Sequence, residues 1–214
     1  MLRCAAVKLL VLGATGGTGQ QVVIQALDAG HDVTALARSP GKVTIHHPRL
    51  RVLQGGLPDA GALAEAMRSQ DAVISAIGRG NTFKSDRLIE RSVPVILAAM
   101  HNAKVPRLMF TSAVGVGATF QASPWMAKLF FRTLLREIYA DKAIGEDLIR
   151  KSGLDWTIVQ PGLLNDGPLT KRYRCGEQLA MSRMPKISRA NTAHFLLDRI
   201  NDASTSGRTI VIAD

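Results

Sequence analysis

The sequence predicts an α/β fold in which helices cover both faces of a parallel sheet. Three observations carry that prediction. Short apolar runs alternate with helix-length amphipathic segments along the whole chain, the pattern of repeated strand–helix units. Several runs are apolar at successive positions instead of alternate ones, as strands buried on both faces must be. The first run, Lys8–Leu12, passes straight into a turn bearing Gly13, Gly16 and Gly19, and a helical pattern follows it.

The elements follow in order. After the strand Lys8–Leu12, a helix over Gly19–Ala29 sets Val22, Val23, Ala26 and Leu27 on one side and stops at Gly30. Strands are expected at Val33–Ala37 and Arg51–Gln54. Asp59 caps a helix over Asp59–Ser69 that carries Leu63, Ala66 and Met67. Ala72–Ile77 is the fourth strand. A helical pattern covers Arg87–Ala103, within which Pro94 should kink the helix or mark its start, with Ser92 as the cap. Leu108–Thr111 is the fifth strand, and a long pattern over Pro124–Lys151 ends before Gly153, a residue suited to close a helix. Thr157–Gln160 is the sixth strand. After Pro161 the rhythm loosens into loops and short strands up to Ile187. A helix at Asn191–Ile200 and a last strand at Arg208–Ala213 complete the series.

The chain has 214 residues, 46% of them apolar, enough for one substantial core. No Ser/Gly-rich linker, charge block or internal repeat divides it. Residues 1–214 therefore read as one domain, with about 161–190 as a substrate-side lobe, because ligands of open α/β sheets sit beyond the carboxyl ends of the strands. Lys and Arg outnumber Asp and Glu by 27 to 17, a formal charge of +10. Anionic partners suit such a charge, but no zinc-finger spacing, RNA-recognition signature or aromatic-interleaved basic stripe accompanies it. The reading is a solvated basic surface and no nucleic-acid partner. One local excess stands out: Lys171, Arg172, Arg174, Arg183, Lys186 and Arg189 against Glu177.

The longest apolar run falls short of the ~18 residues that a membrane span needs. "MLRCAAVKLLVLG" reads as a first strand, not as a signal peptide. Cys4 and Cys175 lack metal-ligand spacing and read as reduced thiols, so the expected compartment is the cytoplasm. His31, His46, His47, His101 and His194 fall on different elements, so no metal site is expected.

The opening loop spells G-A-T-G-G-T-G. Gly13 permits a tight turn, Gly16 lets backbone N–H groups approach a pyrophosphate, and Gly19 packs helix against strand. The helix N-terminus adds partial positive charge, and Thr15 and Thr18 can add hydroxyl donors. A carboxylate after the second strand would hold a ribose 2′-hydroxyl and select NAD(H). Arg38, Ser39 and Lys42 stand there instead. A cation attracts a 2′-phosphate, so NADP(H) is favoured.

On "LGATGGTG", "DAVISAIG", "RLMFTSAVGVG", "DLIRKSGLDWTIVQPGLLNDGPLT" and "KISRANTAHFLL", the chain resembles the atypical short-chain dehydrogenase/reductases. The match is to their NAD(P)-binding, NmrA-like group and its biliverdin- and flavin-reductase branch, over nearly the whole length. The resemblance implies a Rossmann-like doubly wound sheet with a small C-terminal substrate lobe. It implies that Gly13, Thr15, Gly16, Gly17, Thr18 and Gly19 hold the pyrophosphate and that Arg38, with Ser39 beside it, holds the 2′-phosphate. Gly56 and Leu57 fall at the adenine, and Ala76, Ile77 and Gly78 along the adenosine and ribose. Thr111 and Ser112 lie beside the nicotinamide, with Pro161, Gly162, Leu163 and Leu164 closing over it. The chain also departs from the pattern. Gly56 stands where the family often has Asp, Gln160 where it has Arg, and Leu163 where flavin-reductase members have His.

Three residues are candidates for chemistry. A typical short-chain dehydrogenase carries Tyr and Lys four apart on a helix, plus a Ser, and the Lys lowers the Tyr pKa. Here Tyr139 and Lys142 are three apart, so the dyad is not reproduced. Ser112 ends the fifth strand beside the expected nicotinamide. Glu146 and Asp147 precede Arg150 and Lys151 at four-residue spacing and read as exposed ion pairs. The expected function is an NADPH-dependent reductase. It would transfer hydride to a conjugated small-molecule acceptor such as a flavin, quinone or tetrapyrrole, drawn to the site if anionic by Lys171, Arg172 and Arg174. The alternative is an NmrA-like NADP(H)-binding redox sensor without turnover. The oligomeric state stays open, with a monomer favoured.

Overall fold

The structure, a computed structural model, describes residues 6–78, 86–117, 136–179 and 185–214. In chain order the elements are β1 (Lys8–Leu12), α1 (Gly17–Asp28), β2 (Asp32–Ala37), β3 (Leu50–Gln54), α2 (Ala60–Ala66), β4 (Ala72–Ser75), α3 (Leu88–Ala103) and β5 (Arg107–Thr111). Then come α4 (Arg136–Arg150), β6 (Asp155–Pro161), β7 (Leu163–Asn165), β8 (Arg174–Gly176), β9 (Lys186–Ser188), α5 (Arg189–Asp198) and β10 (Arg208–Ala213). The main sheet has eight strands in the order β3-β2-β1-β4-β5-β6-β10-β8. Its pairings are parallel except for β8, which runs antiparallel along β10. β7 and β9 form a separate parallel pair.

The apolar strands are explained by what covers them. In β1, Leu9 and Val11 pack with Val22, Val23, Phe195 and Leu196 from α1 and α5. Leu10 and Leu12 point the other way, into a cluster with Leu63, Ile96, Met100 and Ile149. With side chains alternating across the sheet, a strand between two helical layers must be apolar at every position. Among the described residues no helix is long and apolar enough to cross a membrane.

Local signals behaved as their chemistry requires, with two corrections. Asp59 accepts hydrogen bonds from the N–H groups of Gly61 and Ala62 at 2.9 and 3.0 Å, capping α2. Gly153 and Gly30 both adopt positive φ, as helix-terminating glycines do. Ser92, by contrast, caps nothing, and α3 starts well before Pro94. Its first turn is capped from another helix: the Asp141 carboxylate accepts from Ile89 N–H at 3.1 Å and Glu90 N–H at 2.8 Å. The second correction is Glu146, which is fully buried, whereas the neighbouring Asp147–Lys151 pair is exposed as expected. Positions 124–135 of the expected long helix, Cys4 and Arg183 lie outside the described residues.

The order of strands reverses at β1. The chain lays β2 and β3 on one side of it and returns with β4 on the other, which opens a crevice at the carboxyl ends of β1 and β4. Gly13 ends β1 there with φ +84°.

Candidate active site

The glycine loop is shaped by close backbone approach. A Cβ on Gly13 would meet the carbonyl oxygen of Ala76 at 2.5 Å, across the crevice just past the end of β4. A Cβ on Gly19 would strike the Gly13 carbonyl oxygen and lie 2.9 Å from Ala14 Cα. Gly16 differs: a Cβ there would meet only the Gly13 carbonyl oxygen, at 3.4 Å. It is the N-cap of α1, with no side-chain cap and no acidic residue in the first turn. The first-turn N–H groups of a helix lack intrahelical partners and favour an anion. A dinucleotide pyrophosphate fits this cradle.

Two clefts open along the carboxyl edge of the sheet. The first, about 350 Å³, is lined among others by Gly13, Thr15, Gly16, Arg38, Leu57, Ala76, Ile77 and Gly78. This brings together most of the sequence-predicted adenosine-side residues. Gly56 is not among them. Its neighbour Gly55 lines the cleft instead, and a Cβ there would meet Ala62 Cβ at 2.5 Å and Leu36 Cδ1 at 2.8 Å. Ser39 does not line it either, and instead precedes a 3-10 turn at Pro40–Lys42. Asp86 and Arg91 line this cleft too, at the start of α3. Nothing in the sequence ties that stretch to the nucleotide side, because only the packing of α3 brings it there.

The second cleft, about 250 Å³, is lined by Ser112, Ala113, Val114, Tyr139, Pro161, Gly162, Leu163, Leu164, Pro185 and Arg189. Its lining is mainly apolar, and Leu163 and Leu164 are exposed for residues of their size. Ser112 is 4% exposed, and its Oγ has no hydrogen-bond partner among the described residues. The hydroxyl of Thr111, one residue earlier, is buried and unpartnered as well. The hydroxyls of Ser75 and Ser92 in the core are unpartnered too, so what sets Ser112 apart is that it lines the cleft, which Thr111 does not. Gly162 is fixed by packing, since a Cβ there would meet the Pro185 carbonyl oxygen at 2.5 Å.

Tyr139 reaches this cleft, and its hydroxyl donates to the Val114 carbonyl at 3.0 Å. Burial pushes its pKa up to about 12. Lys142 does not line the cleft. Burial pulls its ammonium down to about 8, against the opposing pull of the Glu146 and Asp141 carboxylates. Ser112 and Tyr139 thus meet at one cleft and Lys142 stays outside it. Thr18 and Gly19 belong to the first turn of α1, where Thr18 is buried.

The basic excess of the tail also resolves into separate places. Asn191 Oδ1 accepts from the N–H groups of Thr170 and Lys171, both at 3.0 Å, and holds that turn against α5. Lys171 therefore lines a different cleft, with Gln25, Asp28, His31 and His194. The cation of the Ser112 cleft is Arg189, which the sequence reading had counted only as part of the basic run.

Comparison with known proteins agrees with this geometry. A family model described as NAD(P)H-binding matches residues 13–203. A (4-alkanoyl-5-oxo-2,5-dihydrofuran-3-yl)methyl phosphate reductase of Streptomyces griseus is 31% identical over 153 residues, 72% of this chain and 46% of that protein. The chain thus spans about half the length of this curated relative. A Rossmann-fold NAD(P)-binding family protein from Shigella flexneri superposes with a TM-score of 0.74 at 25% identity, covering 97% of this chain and 93% of that one. ChuY, an anaerobilin reductase from Escherichia coli O157:H7, superposes with a TM-score of 0.80 at 23% identity over 96% of both chains, a likeness of fold.

Proposed function

This chain belongs to the NAD(P)H-binding family, and from that premise we propose that it is an NADPH-dependent reductase acting on a planar conjugated acceptor, such as a flavin, quinone or tetrapyrrole. The observation that carries the proposal is the Ser112 cleft: a buried, unpartnered hydroxyl in a largely apolar wall, on the sheet edge that also carries the glycine loop. When bound, the nicotinamide supplies hydride, and one proton completes the two-electron reduction. Gly13, Gly16 and the first turn of α1 hold the pyrophosphate. Arg38 pairs with the 2′-phosphate and selects the phosphorylated cofactor. Leu163, Leu164 and Pro161 exclude water and orient the acceptor ring. Ser112 hydrogen-bonds the reduced acceptor, and the proton that completes the reduction comes from solvent water.

A strong acid is not required for such an acceptor. The anion left after hydride addition is delocalised, so positioning supplies most of the rate. This suits a site in which Tyr139 keeps its proton up to about pH 12. The same facts, a hydroxyl engaged with Val114 and a lysine outside the cleft, favour the second reading, a redox sensor without turnover. NADPH oxidation measured with a panel of flavins, quinones and linear tetrapyrroles separates the two. Turnover with any of them supports the reductase, and tight NADPH binding with none excludes it.

A further inference from the structure

The geometry points to Arg189 as a clasp on the cofactor's pyrophosphate, held ready over the glycine loop by Asp166. The inference rests on the nucleotide reading proposed above. Arg189 opens α5, which packs along α1, and its side chain reaches back over the first turn of that helix. A Cβ on Gly17 would meet Arg189 Cδ at 2.6 Å and Nε at 2.9 Å. A side chain at position 17 would displace the flexible end of Arg189 from the loop. The extra glycine of G-A-T-G-G-T-G makes room for a protein cation beside the phosphate seat.

The guanidinium donates to Asp166 Oδ1 at 2.6 Å, and Arg189 also lines the Ser112 cleft. It thus stands where the two halves of the site meet. Its partner is weak. Asp166 is 88% exposed, against 26% for Arg189, so the carboxylate stands in water, which screens the pair and keeps its contribution small. Exchanging that carboxylate for a phosphate oxygen at an uncapped helix N-terminus costs little. It gains a charge-assisted contact in which guanidinium geometry matches phosphate. Asp166 lies just after β7, in the segment that follows the exposed Leu163 and Leu164, so the exchange also releases that segment from the loop when cofactor arrives.

The test measures binding without turnover. NADPH and adenosine 2′-monophosphate, which lacks the pyrophosphate, are titrated by calorimetry against the wild type, Arg189→Met, Arg189→Lys, Asp166→Asn and the Asp166→Asn/Arg189→Met double variant. Methionine keeps an apolar stem on Gly17, and circular dichroism checks the fold of each variant. Arg189→Met should weaken NADPH about 10- to 100-fold, the loss of one charge-assisted contact, and leave adenosine 2′-monophosphate unchanged. Arg189→Lys should restore part of the loss. Asp166→Asn should tighten NADPH about two- to fivefold, in keeping with an exposed pair, and have no effect in the Arg189→Met background. Equal NADPH affinity in the wild type and a folded Arg189→Met overturns the clasp, and so does an equal loss of affinity for adenosine 2′-monophosphate. A wild type that binds neither ligand overturns the nucleotide reading itself.

Discussion

Substituting Gly16 and Gly19 separates the ligand-facing role of the glycine loop from its structural role. Gly16→Val places a branched side chain at a position with φ −82° and ψ 158°, extended backbone that valine adopts readily. Its Cβ meets only the Gly13 carbonyl oxygen, at 3.4 Å, so the apo protein has room for it. Losing glycine at an N-cap costs up to about 1 kcal/mol, partly offset by the stiffer unfolded chain. The added methyl groups stand over the first-turn N–H groups of α1. Displacing a phosphate from even one of them forfeits about 1.5–3 kcal/mol, or roughly 10- to 100-fold in affinity. Gly19→Ala reverses the pattern. Its Cβ strikes the Gly13 carbonyl and lies 2.9 Å from Ala14 Cα, both backbone atoms of a loop tied to β4. Overpacking costs about 1–3 kcal/mol where side chains can yield, and a backbone neighbour puts Gly19→Ala at the upper end or beyond. Urea unfolding followed by circular dichroism and NADPH titration by fluorescence report the two effects separately. Gly16→Val should unfold near the wild-type midpoint and bind NADPH poorly. A folded Gly16→Val with wild-type NADPH affinity would refute the assignment of this loop to the pyrophosphate, and a Gly19→Ala as stable as wild type would refute the packing argument.

Other outcomes follow from the same geometry. Arg38→Ala should weaken NADPH about 10- to 100-fold and NADH little, since a single charge-assisted contact to the 2′-phosphate is lost; parallel titrations with both cofactors decide it. Ser112→Ala should leave NADPH affinity intact and lower kcat about 10- to 100-fold, the loss of one hydrogen bond to a developing anion; stopped-flow traces under saturating NADPH read the chemical step. Glu146→Ala should cost about 2–3 kcal/mol in urea unfolding, below the ~3–5 for breaking a fully buried pair, because 37% of the Arg150 side chain stays exposed. Burial and Arg49 hold the His31 imidazole below its ordinary pKa of 6.5, and its Nδ1 accepts from Val7 N–H. The unfolded chain then binds the proton more readily than the folded one. Stability from this group is complete above pH 6.5 and falls as the pH drops below it. The urea midpoint should decline on acidification through that range, less steeply in His31→Gln.

The parts of the site that were legible in the sequence are those set by local chemistry. β1 and β10 have the bounds that their apolar runs suggest, and Gly13, Gly16 and Gly19 sit where strand, turn and helix require them. Asp59 and Gly153 work through neighbours within a few residues, so their roles are visible in a short window. What stayed hidden depends on distant packing. Ser92 looked like a cap because Pro94 could mark the helix start, whereas Asp141, which does the capping, comes from another helix. Gly55 rather than Gly56 lines the first cleft, and it is crowded by Leu36 and Ala62, neighbours that only the packing of layers brings to it. Arg189 reached the loop through the fit of α5 on α1. Glu146 matched the spacing of an exposed pair, and spacing alone does not say which side of a helix meets the sheet.

That buried glutamate bears on how Ser112 is held. β5 and β6 remain hydrogen-bonded past the end of β5, with Ser112 N–H donating to the Val159 carbonyl at 2.7 Å and Val114 N–H to the Pro161 carbonyl at 3.1 Å. Side chains then fix the turn that follows. Tyr139 donates to the Val114 carbonyl, and Gln160 Nε2 donates to the Val116 carbonyl at 3.2 Å and to Glu146 Oε1 at 2.8 Å. Glu146 is completed by Arg150 at 2.6 Å. An arginine at position 160, the residue the family resemblance leads one to expect, would bring a cation to this carboxylate from β6. Here the cation comes from one turn along α4, so glutamine can take the place without leaving a buried charge unpaired. Gln160 thus ties the 113–117 turn, which follows Ser112, to the buried Glu146. Gln160→Leu keeps the volume but removes the amide donor to the Val116 carbonyl and to Glu146 Oε1, each a buried hydrogen bond whose loss costs about 1–3 kcal/mol. The turn loosens while the glycine loop, built on β1 and α1, is untouched. Gln160→Leu should therefore lower kcat and leave NADPH affinity within about twofold, whereas Gln160→Arg/Arg150→Met, which moves the cation to β6, should recover much of the rate. A loss of NADPH affinity in Gln160→Leu equal to its loss in kcat would mean that the network supports the whole sheet edge and not the serine turn.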